Sequence, residues 1–130
     1  MIYKILVVDD EPEIVKILKI FLTKKGFEVI AAFGGEEAAE LLRSDINVDL
    51  MVLDMKMPNV SGISVLKEMK SLNKQWPVIV LSGSIDMKKH EEELKNLGID
   101  QIEYFVKPLD LYLLLEAIKK KLNPKSSGGK

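Results

Sequence analysis

Short apolar runs alternate along the chain with longer stretches that mix apolar and polar residues. The runs are rich in Val, Ile and Leu, and their lengths are typical of β-strands rather than helices. They lie at Lys4–Val8, Phe27–Ala31, Leu50–Leu53, Val78–Leu81 and Ile102–Val106. The pattern therefore predicts five strands.

The stretches between these runs carry apolar residues at helical spacing. Pro12 suits an opening helical turn, Gly98 suits a helix end, and Asp110 suits the N-cap of the last helix. The predicted helices run from Glu11-Pro12 to Lys24-Lys25-Gly26, from about Glu36 to Arg43, from near Ser61 to before Trp76-Pro77, over about Asp86–Leu97, and over Leu111–Leu122.

Strands that alternate with helices predict an α/β protein whose parallel sheet is covered on both faces. Right-handed crossovers leave few topologies, and we expect the flavodoxin-like, doubly wound order 2-1-3-4-5 with five helices. One domain is expected over residues 1–122. The remaining residues, 123–130, read NPKSSGGK and are expected to form a flexible tail or linker stump.

Composition excludes several classes of protein. With 130 residues, of which 47% are hydrophobic, the chain can form one core without a disulfide or a structural metal. A net charge of −1 without a basic cluster argues against direct nucleic-acid binding. The absence of cysteine excludes disulfides, zinc–thiolate sites and thiol nucleophiles. No stretch is typical of a signal peptide or a membrane span, so we expect a cytoplasmic protein with no membrane contact.

Polar residues follow four of the five predicted strands. The carboxyl ends of parallel strands meet at one edge of the sheet, and ligands of such folds bind at that edge. The residues in question are Asp9, Asp10 and Glu11 after the first strand, Asp54 after the third, Ser82 after the fourth and Lys107 after the fifth.

These residue types together predict a site for phosphoryl transfer. Carboxylates in one cleft repel each other and favour a hard divalent cation, of which Mg²⁺ best suits a few carboxylates with water and phosphate. Lys107 can neutralise an anion beside Asp54, and Ser82 offers a hydroxyl donor. The set suits a carboxylate nucleophile. Each residue alone also has a structural explanation: Asp9 or Asp10 as a helix cap, Ser82 in a turn, Lys107 as a solvated charge.

The same residues resemble those of response-regulator receiver domains, from Tyr3 to about Leu122. The segment ILVVDDE at residues 5–11 is similar to the family's metal-binding acids. The segment VLDMKMPNVSG at residues 52–62 matches the family's phosphoacceptor motif, Asp-x-x-Met-Pro-x-x-x-Gly, and places the acceptor at Asp54. The resemblance implies that this chain is a two-component signalling domain.

The family's switch residues also have counterparts here. Ser82 falls where the family has a switch Ser or Thr, and Tyr104 falls where it has a switch aromatic residue. Phe105 competes for the latter role, although strand alternation directs it to the opposite face. Lys107-Pro108 matches the family's Lys-Pro pair, whose peptide bond is typically cis.

The resemblance implies a ligand set for Mg²⁺. Asp10 and Asp54 would bind the ion directly, together with the backbone carbonyl of Lys56, and Asp9 would act partly through water. The side chain of Lys56 would lie near the mouth of the site.

The resemblance also implies the reaction and the partners. Asp54 would take a phosphoryl group from a phosphohistidine on a sensor histidine kinase or a histidine phosphotransfer protein, with Lys107 and Ser82 taking charge on the transferred group. Tyr104 would then turn inward and change the surface of the fourth helix and fifth strand. An output domain or target protein would read that surface. The protein would be a monomer or a weak phosphorylation-dependent dimer, and not a turnover enzyme on other substrates.

The first helix is apolar over a wider arc than one core face requires. One interpretation is a large core contact. The other is a patch of Ile14, Val15 and Ile17 that docks, as the resemblance implies, against the histidine-bearing helices of the kinase.

Two other functions fit part of the pattern. A phosphorylation-independent interaction module with the same fold would be favoured if Asp10, Asp54 or Lys107 were missing, and all three are present. A small phosphatase with an aspartyl nucleophile would carry Asp-x-Asp after the first strand, whereas the candidate nucleophile here follows the third.

Overall fold

The fold confirms the predicted alternation of strands and helices. The computed structural model describes residues 2–57, 59–82, 87–98 and 102–123, with the side chains of 87–90 excepted. The strands are β1 (Lys4–Val8), β2 (Glu28–Ala32), β3 (Leu50–Asp54), β4 (Val78–Ser82) and β5 (Ile102–Val106). The helices are α1 (Pro12–Lys24), α2 (Gly35–Arg43), α3 (Gly62–Ser71), α4 (Met87–Leu97) and α5 (Leu111–Leu122).

The five strands form one parallel sheet in the order β2-β1-β3-β4-β5, as predicted. The strands β3 and β4 are buried along their whole length, and β1 is buried from Ile5 onward. This burial on both faces explains why the central strands are almost continuously apolar. Asp54 and Ser82 are the last residues of β3 and β4, so each strand extends one residue beyond the end predicted from the sequence.

The sheet separates two hydrophobic cores. On one face α1 and α5 pack over the sheet, and on the other face α2, α3 and α4 do so. A fully buried Leu or Ile contributes about 1.5–3 kcal/mol relative to an exposed one, so the two cores fix the sheet firmly. The helical residues of the first core include Leu18, Leu22, Leu114 and Ile118, and those of the second include Leu42, Leu66, Met69 and Leu94.

Among the helix starts that the structure describes, those of α3 and α5 have side-chain caps. The Asp110 carboxylate accepts hydrogen bonds from the backbone N–H groups of Tyr112 (2.9 Å) and Leu113 (3.2 Å), which confirms the predicted N-cap of α5. Ser61 accepts from the backbone N–H of Ser64 (3.3 Å) at the start of α3. Within the described part of the chain, every helix is too short or too polar to cross a membrane.

Candidate functional site

Backbone hydrogen bonds continue past the ends of the strands and hold the residues of the site. The N–H of Asp9 donates to the carbonyl oxygen of Ala32 (3.2 Å), and the N–H of Lys107 donates to that of Ser82 (2.9 Å). Asp54 lies within β3, in register with Leu81 of β4. The sheet itself therefore sets the positions of these residues, because each backbone is paired with a neighbouring strand.

The lysine after β5 faces carboxylates from two other parts of the sheet edge. Its Nζ atom lies 3.5 Å from Oδ2 of Asp54, 3.6 Å from Oδ2 of Asp9 and 3.2 Å from Oε1 of Glu11. Asp9 and Asp54 are 0% and 2% exposed, whereas the side chains of Lys107 and Glu11 are 29% and 60% exposed. Two carboxylates thus form the floor of the site, and the ion pair of Lys107 with Glu11 lies at its mouth.

The two buried carboxylates accept few hydrogen bonds. Oδ1 of Asp54 accepts from the backbone N–H of Lys56 (3.2 Å), and Oδ1 of Asp9 accepts from that of Glu11 (3.0 Å). Oδ2 of Asp9 is buried and, among the described residues, has no hydrogen-bond donor; the ammonium at 3.6 Å is too far to serve as one. A buried carboxylate oxygen that lacks a hydrogen-bond donor is stabilised by a cation beside it.

The electrostatics of the site indicate an excess of negative charge. Burial raises the pKa of Asp54 to about 6, and the charge of Asp9 adds to that effect, while Lys107 opposes it. Burial also raises the pKa of Asp9, against the backbone hydrogen bond from Glu11 and the charge of Lys107. Burial alone would lower the pKa of Lys107, but the charges of Asp54 and Asp9 raise it above its ordinary value. One ammonium therefore faces more negative charge than it can neutralise.

The donor set fits a hard divalent cation. One oxygen from each of Asp9, Glu11 and Asp54 lies within 4.8 Å of the others, so the acidic cluster can hold a metal. Asp10, which the sequence placed among the metal ligands, lies outside this cluster and lines a cleft of about 300 Å³ with Phe33 and other residues.

Lys56 contacts the site through its backbone N–H group, which donates to Asp54, and its side chain is exposed. The family resemblance implies that its carbonyl oxygen binds Mg²⁺, and that role stays a prediction. The sequence placed Glu11 at this edge of the sheet but gave it no role in the site, whereas in the structure its carboxylate joins the acidic cluster and pairs with Lys107. The available signal was its place directly after the Asp9-Asp10 pair at the end of β1.

A glycine packs behind the candidate acceptor. The N–H of Gly62 donates to the carbonyl oxygen of Met55 (3.1 Å). A Cβ atom at position 62 would lie 2.7 Å from Cα of Met55 and 2.8 Å from the carbonyl oxygen of Asp54, so no larger residue fits without a backbone shift. The loop after β3 can therefore close tightly only because α3 begins with glycine.

The candidate switch residues lie on the α4 side of the site. Ser82 ends β4, is 1% exposed, and pairs in register with Val106 of β5. Tyr104 packs against the core beneath α3 and α4, and burial, with the charge of Glu91, raises its pKa. Phe105 packs against the opposite core. The predicted alternation is therefore confirmed, and Tyr104 rather than Phe105 is the aromatic residue beside α4.

The peptide bond between Lys107 and Pro108 is cis, as the family resemblance implied. Residues 99–101, between α4 and β5, lie outside the described residues.

The predicted partner patch on α1 needs one correction. Val15 is 1% exposed and packs in the core, so it cannot contact a partner. Val15, Leu18 and Leu22 form the inward stripe of the helix at helical spacing. Ile14 is half-buried, whereas Ile17 is 50% exposed, so the outward apolar surface of α1 does not include Val15.

The family comparison agrees with the fold. The model of the response regulator receiver domain matches residues 5–119. The chain belongs to this family, whose members are the receiver domains of two-component signalling systems. It is a signalling domain rather than a classical turnover enzyme.

In some relatives the match covers nearly the whole protein, and in others it covers only a part. Sporulation initiation phosphotransferase F of Bacillus subtilis is 35% identical over 126 residues, which cover 95% of this chain and 97% of that protein. The regulatory protein AtoC of Escherichia coli is 36% identical over 110 residues, which cover 85% of this chain and 23% of AtoC. The chain thus spans nearly all of one relative and about a quarter of the other.

One solved structure that resembles this chain contains bound ligands. The response regulator TrrA of Thermotoga maritima, solved in complex with Mg²⁺ and BeF, is 36% identical. It superposes with a TM-score of 0.77, and the match covers 93% of this chain and 100% of that one.

Proposed function

We propose that this domain accepts a phosphoryl group on Asp54, with Mg²⁺, from a phosphohistidine of a sensor histidine kinase or a histidine phosphotransfer protein. The observation that carries the proposal is the approach of Lys107 Nζ to within 3.5 Å of Asp54 Oδ2, beside the buried carboxylate of Asp9. A carboxylate with an adjacent fixed cation and an excess of negative charge suits metal-assisted phosphoryl transfer. The Mg²⁺–BeF complex of the related TrrA supports the same chemistry.

The residues that would hold the ion are Asp9, Asp10 and Asp54, with the carbonyl oxygen of Lys56. Asp9 and Asp54 supply buried carboxylates from the cluster, and Asp10 joins them on the family resemblance. When bound, Mg²⁺ supplies positive charge that offsets the repulsion between these acids and the incoming phosphoryl oxygens.

In the proposed reaction one carboxylate oxygen of Asp54 forms a bond to phosphorus while the bond between phosphorus and the histidine nitrogen breaks. The electron pair of that bond returns to the imidazole, which takes up a proton, and Asp54 becomes an aspartyl phosphate. The backbone N–H of Lys56 orients the carboxylate through Oδ1. The Lys107 ammonium and the Ser82 hydroxyl, at the ends of β5 and β4, then balance charge on the phosphoryl oxygens.

The outcome is a change of surface. Attraction of Ser82 toward the phosphoryl group would leave room for Tyr104, which packs beside α4, to turn inward. The altered α4 and β5 surface would be read by an output domain or a target protein, or would support a weak phosphorylation-dependent dimer. A cytoplasmic location is part of this proposal, because sensor kinases present their phosphohistidine there.

The test is phosphorylation by phosphoramidate, a small donor that also carries a phosphorus–nitrogen bond, in the presence of Mg²⁺. Intact-mass spectrometry should show one added phosphate on the parent protein and on Asp45→Asn, a control at an exposed aspartate on the α2–β3 connection. Asp54→Asn should take up none. Equal labelling of Asp54→Asn would contradict the assignment, and an unlabelled parent protein would favour a phosphorylation-independent interaction module.

A further inference from the structure

The side chain of Glu11 does not cap its own helix, α1. It occupies the N-cap position of α1, where a side chain ordinarily accepts a hydrogen bond from the first helical turn, yet its carboxylate makes no such bond. The carboxylate instead accepts a hydrogen bond from Lys107 Nζ at 3.2 Å, across the mouth of the site. Its contact is therefore with the site rather than with its own helix.

Glu11 is the nearest of the three anions to Lys107. Lys107 Nζ donates a hydrogen bond to Glu11 at 3.2 Å, whereas its contacts with Asp54 and Asp9 are longer ion pairs, at 3.5 Å and 3.6 Å. Glu11 is also the exposed member of the three, because its side chain is 60% accessible while both aspartates are buried. The ammonium is thus drawn outward by a carboxylate that can move away into solvent.

We infer that Glu11 is a positioning residue that holds Lys107 at the mouth of the site and slows phosphoryl transfer until the incoming group displaces it. The inference rests on the proposed function. A phosphoryl group carries more negative charge than one carboxylate and competes for the same ammonium. Because Lys107 must turn inward to meet it, the bond to Glu11 is lost before or during transfer, and that loss adds to the barrier.

The same residue has a competing role with the opposite consequence. One Glu11 oxygen lies within 4.8 Å of ligand atoms of Asp9 and Asp54, which is the spacing of a metal-binding set. If Glu11 helped to hold the cation, its removal would weaken Mg²⁺ binding and slow phosphorylation. The two roles therefore differ in the sign of the effect.

Two substitutions separate the position of the carboxylate from its charge. Glu11→Gln removes the charge, whereas Glu11→Asp keeps the charge and shortens the side chain by one methylene, so that the carboxylate no longer reaches Lys107. Glu13→Gln, at an exposed acid of the first turn of α1, is the matched control. The rate of phosphorylation is followed against phosphoramidate concentration at saturating Mg²⁺, and Mg²⁺ affinity is measured separately by calorimetry without phosphoramidate.

Both Glu11 variants should raise the maximal rate by about 2–5-fold, the range expected for release of an exposed ion pair. The control Glu13→Gln should match the parent protein both in its phosphorylation rate and in its affinity for Mg²⁺. Acceleration in Glu11→Gln alone would assign the effect to net charge and overturn the inference, and so would unchanged rates in both variants. Slower phosphorylation with weaker Mg²⁺ binding would make Glu11 a metal ligand and would overturn it as well. If the parent protein is labelled on Asp54, these outcomes overturn the inference about Glu11 and leave the proposed function standing. An unlabelled parent protein would overturn both the inference and the proposed function.

Discussion

Lys107 Nζ lies 3.5 Å from Asp54 Oδ2, although the two residues come from the ends of β5 and β3. The strand β4 lies between these two strands, so the distance depends on two registers: Asp54 with Leu81, and Ser82 with Val106. A slip of one residue in either register would turn the side chains to the other face of the sheet. The approach of the ammonium to the candidate acceptor is therefore a property of the sheet and not of a flexible loop.

The raised pKa of Asp54 predicts a stability difference that depends on pH. Its pKa is 3.8 in an unfolded chain and about 6 in the fold, because burial and the charge of Asp9 disfavour the ionised form. The folded state thus prefers the protonated carboxyl, and this contribution is fully present below the unfolded pKa and lost as pH rises through the folded pKa. Ionisation of Asp54 should therefore lower the free energy of unfolding of the metal-free protein by on the order of 2–3 kcal/mol.

Urea unfolding of the parent protein and of Asp54→Asn, both without metal, measures this cost. At about pH 7.5 the variant should be the more stable of the two, and the difference should shrink steadily toward about pH 4. Addition of Mg²⁺ should stabilise the parent protein and not the variant. A difference that is the same at every pH would mean that ionisation of Asp54 does not strain the fold.

Much of this architecture can be predicted from the sequence, for a physical reason. Central strands covered on both faces must be apolar along their length, so β3 and β4 are visible as Val- and Leu-rich runs that end in Asp54 and Ser82. The cap of α5 is visible because Asp110 is one of the few residue types that satisfy free backbone N–H groups at a helix start.

Two features of the site depend on tertiary structure and could not be predicted. Val15 and Ile17 are equally apolar, and only the rotation of α1 against the sheet decides that one is buried and the other exposed. The pairing of Glu11 with Lys107 depends on the distance between the loops after β1 and β5. The sequence shows that both residues of α1 are apolar and that Glu11 follows the acidic pair, but not which surfaces these side chains contact.

The location of Tyr104 predicts where phosphorylation changes the surface. It packs on the α4 side of the sheet, and Glu91 of α4 influences its pKa, so movement of this ring should affect α4 and β5 first. Amide chemical shifts of the parent protein with Mg²⁺, recorded with and without fluoroberyllate, should change more in α4 and β5 than in α2. Changes limited to residues that touch Asp54 would indicate a phosphoacceptor without a switch.

The exposed side chain of Lys56 should lengthen the life of the phosphorylated state. Hydrolysis needs a water molecule in line with the bond to Asp54, and a long side chain two residues from the acceptor can cover that path. We expect Lys56→Ala to lose its phosphoryl group roughly 2–5-fold faster than the parent protein. Lys67→Ala, at an exposed lysine of α3, controls for loss of one positive charge.

Phosphoryl loss from the three proteins should be followed at matched saturating Mg²⁺. An equal or slower rate in Lys56→Ala would show that Lys56 does not protect the aspartyl phosphate.

The central claim is that Asp54 is the acceptor and that a divalent cation is required. The most direct measurement is peptide mapping after treatment with acetyl phosphate, in parallel with Mg²⁺ and with a chelator, and with borohydride reduction to mark the aspartyl phosphate. The account predicts that the mark appears on Asp54 alone, and only in the sample with Mg²⁺. A mark on another residue, or an equal mark on Asp54 in the chelated sample, would contradict it.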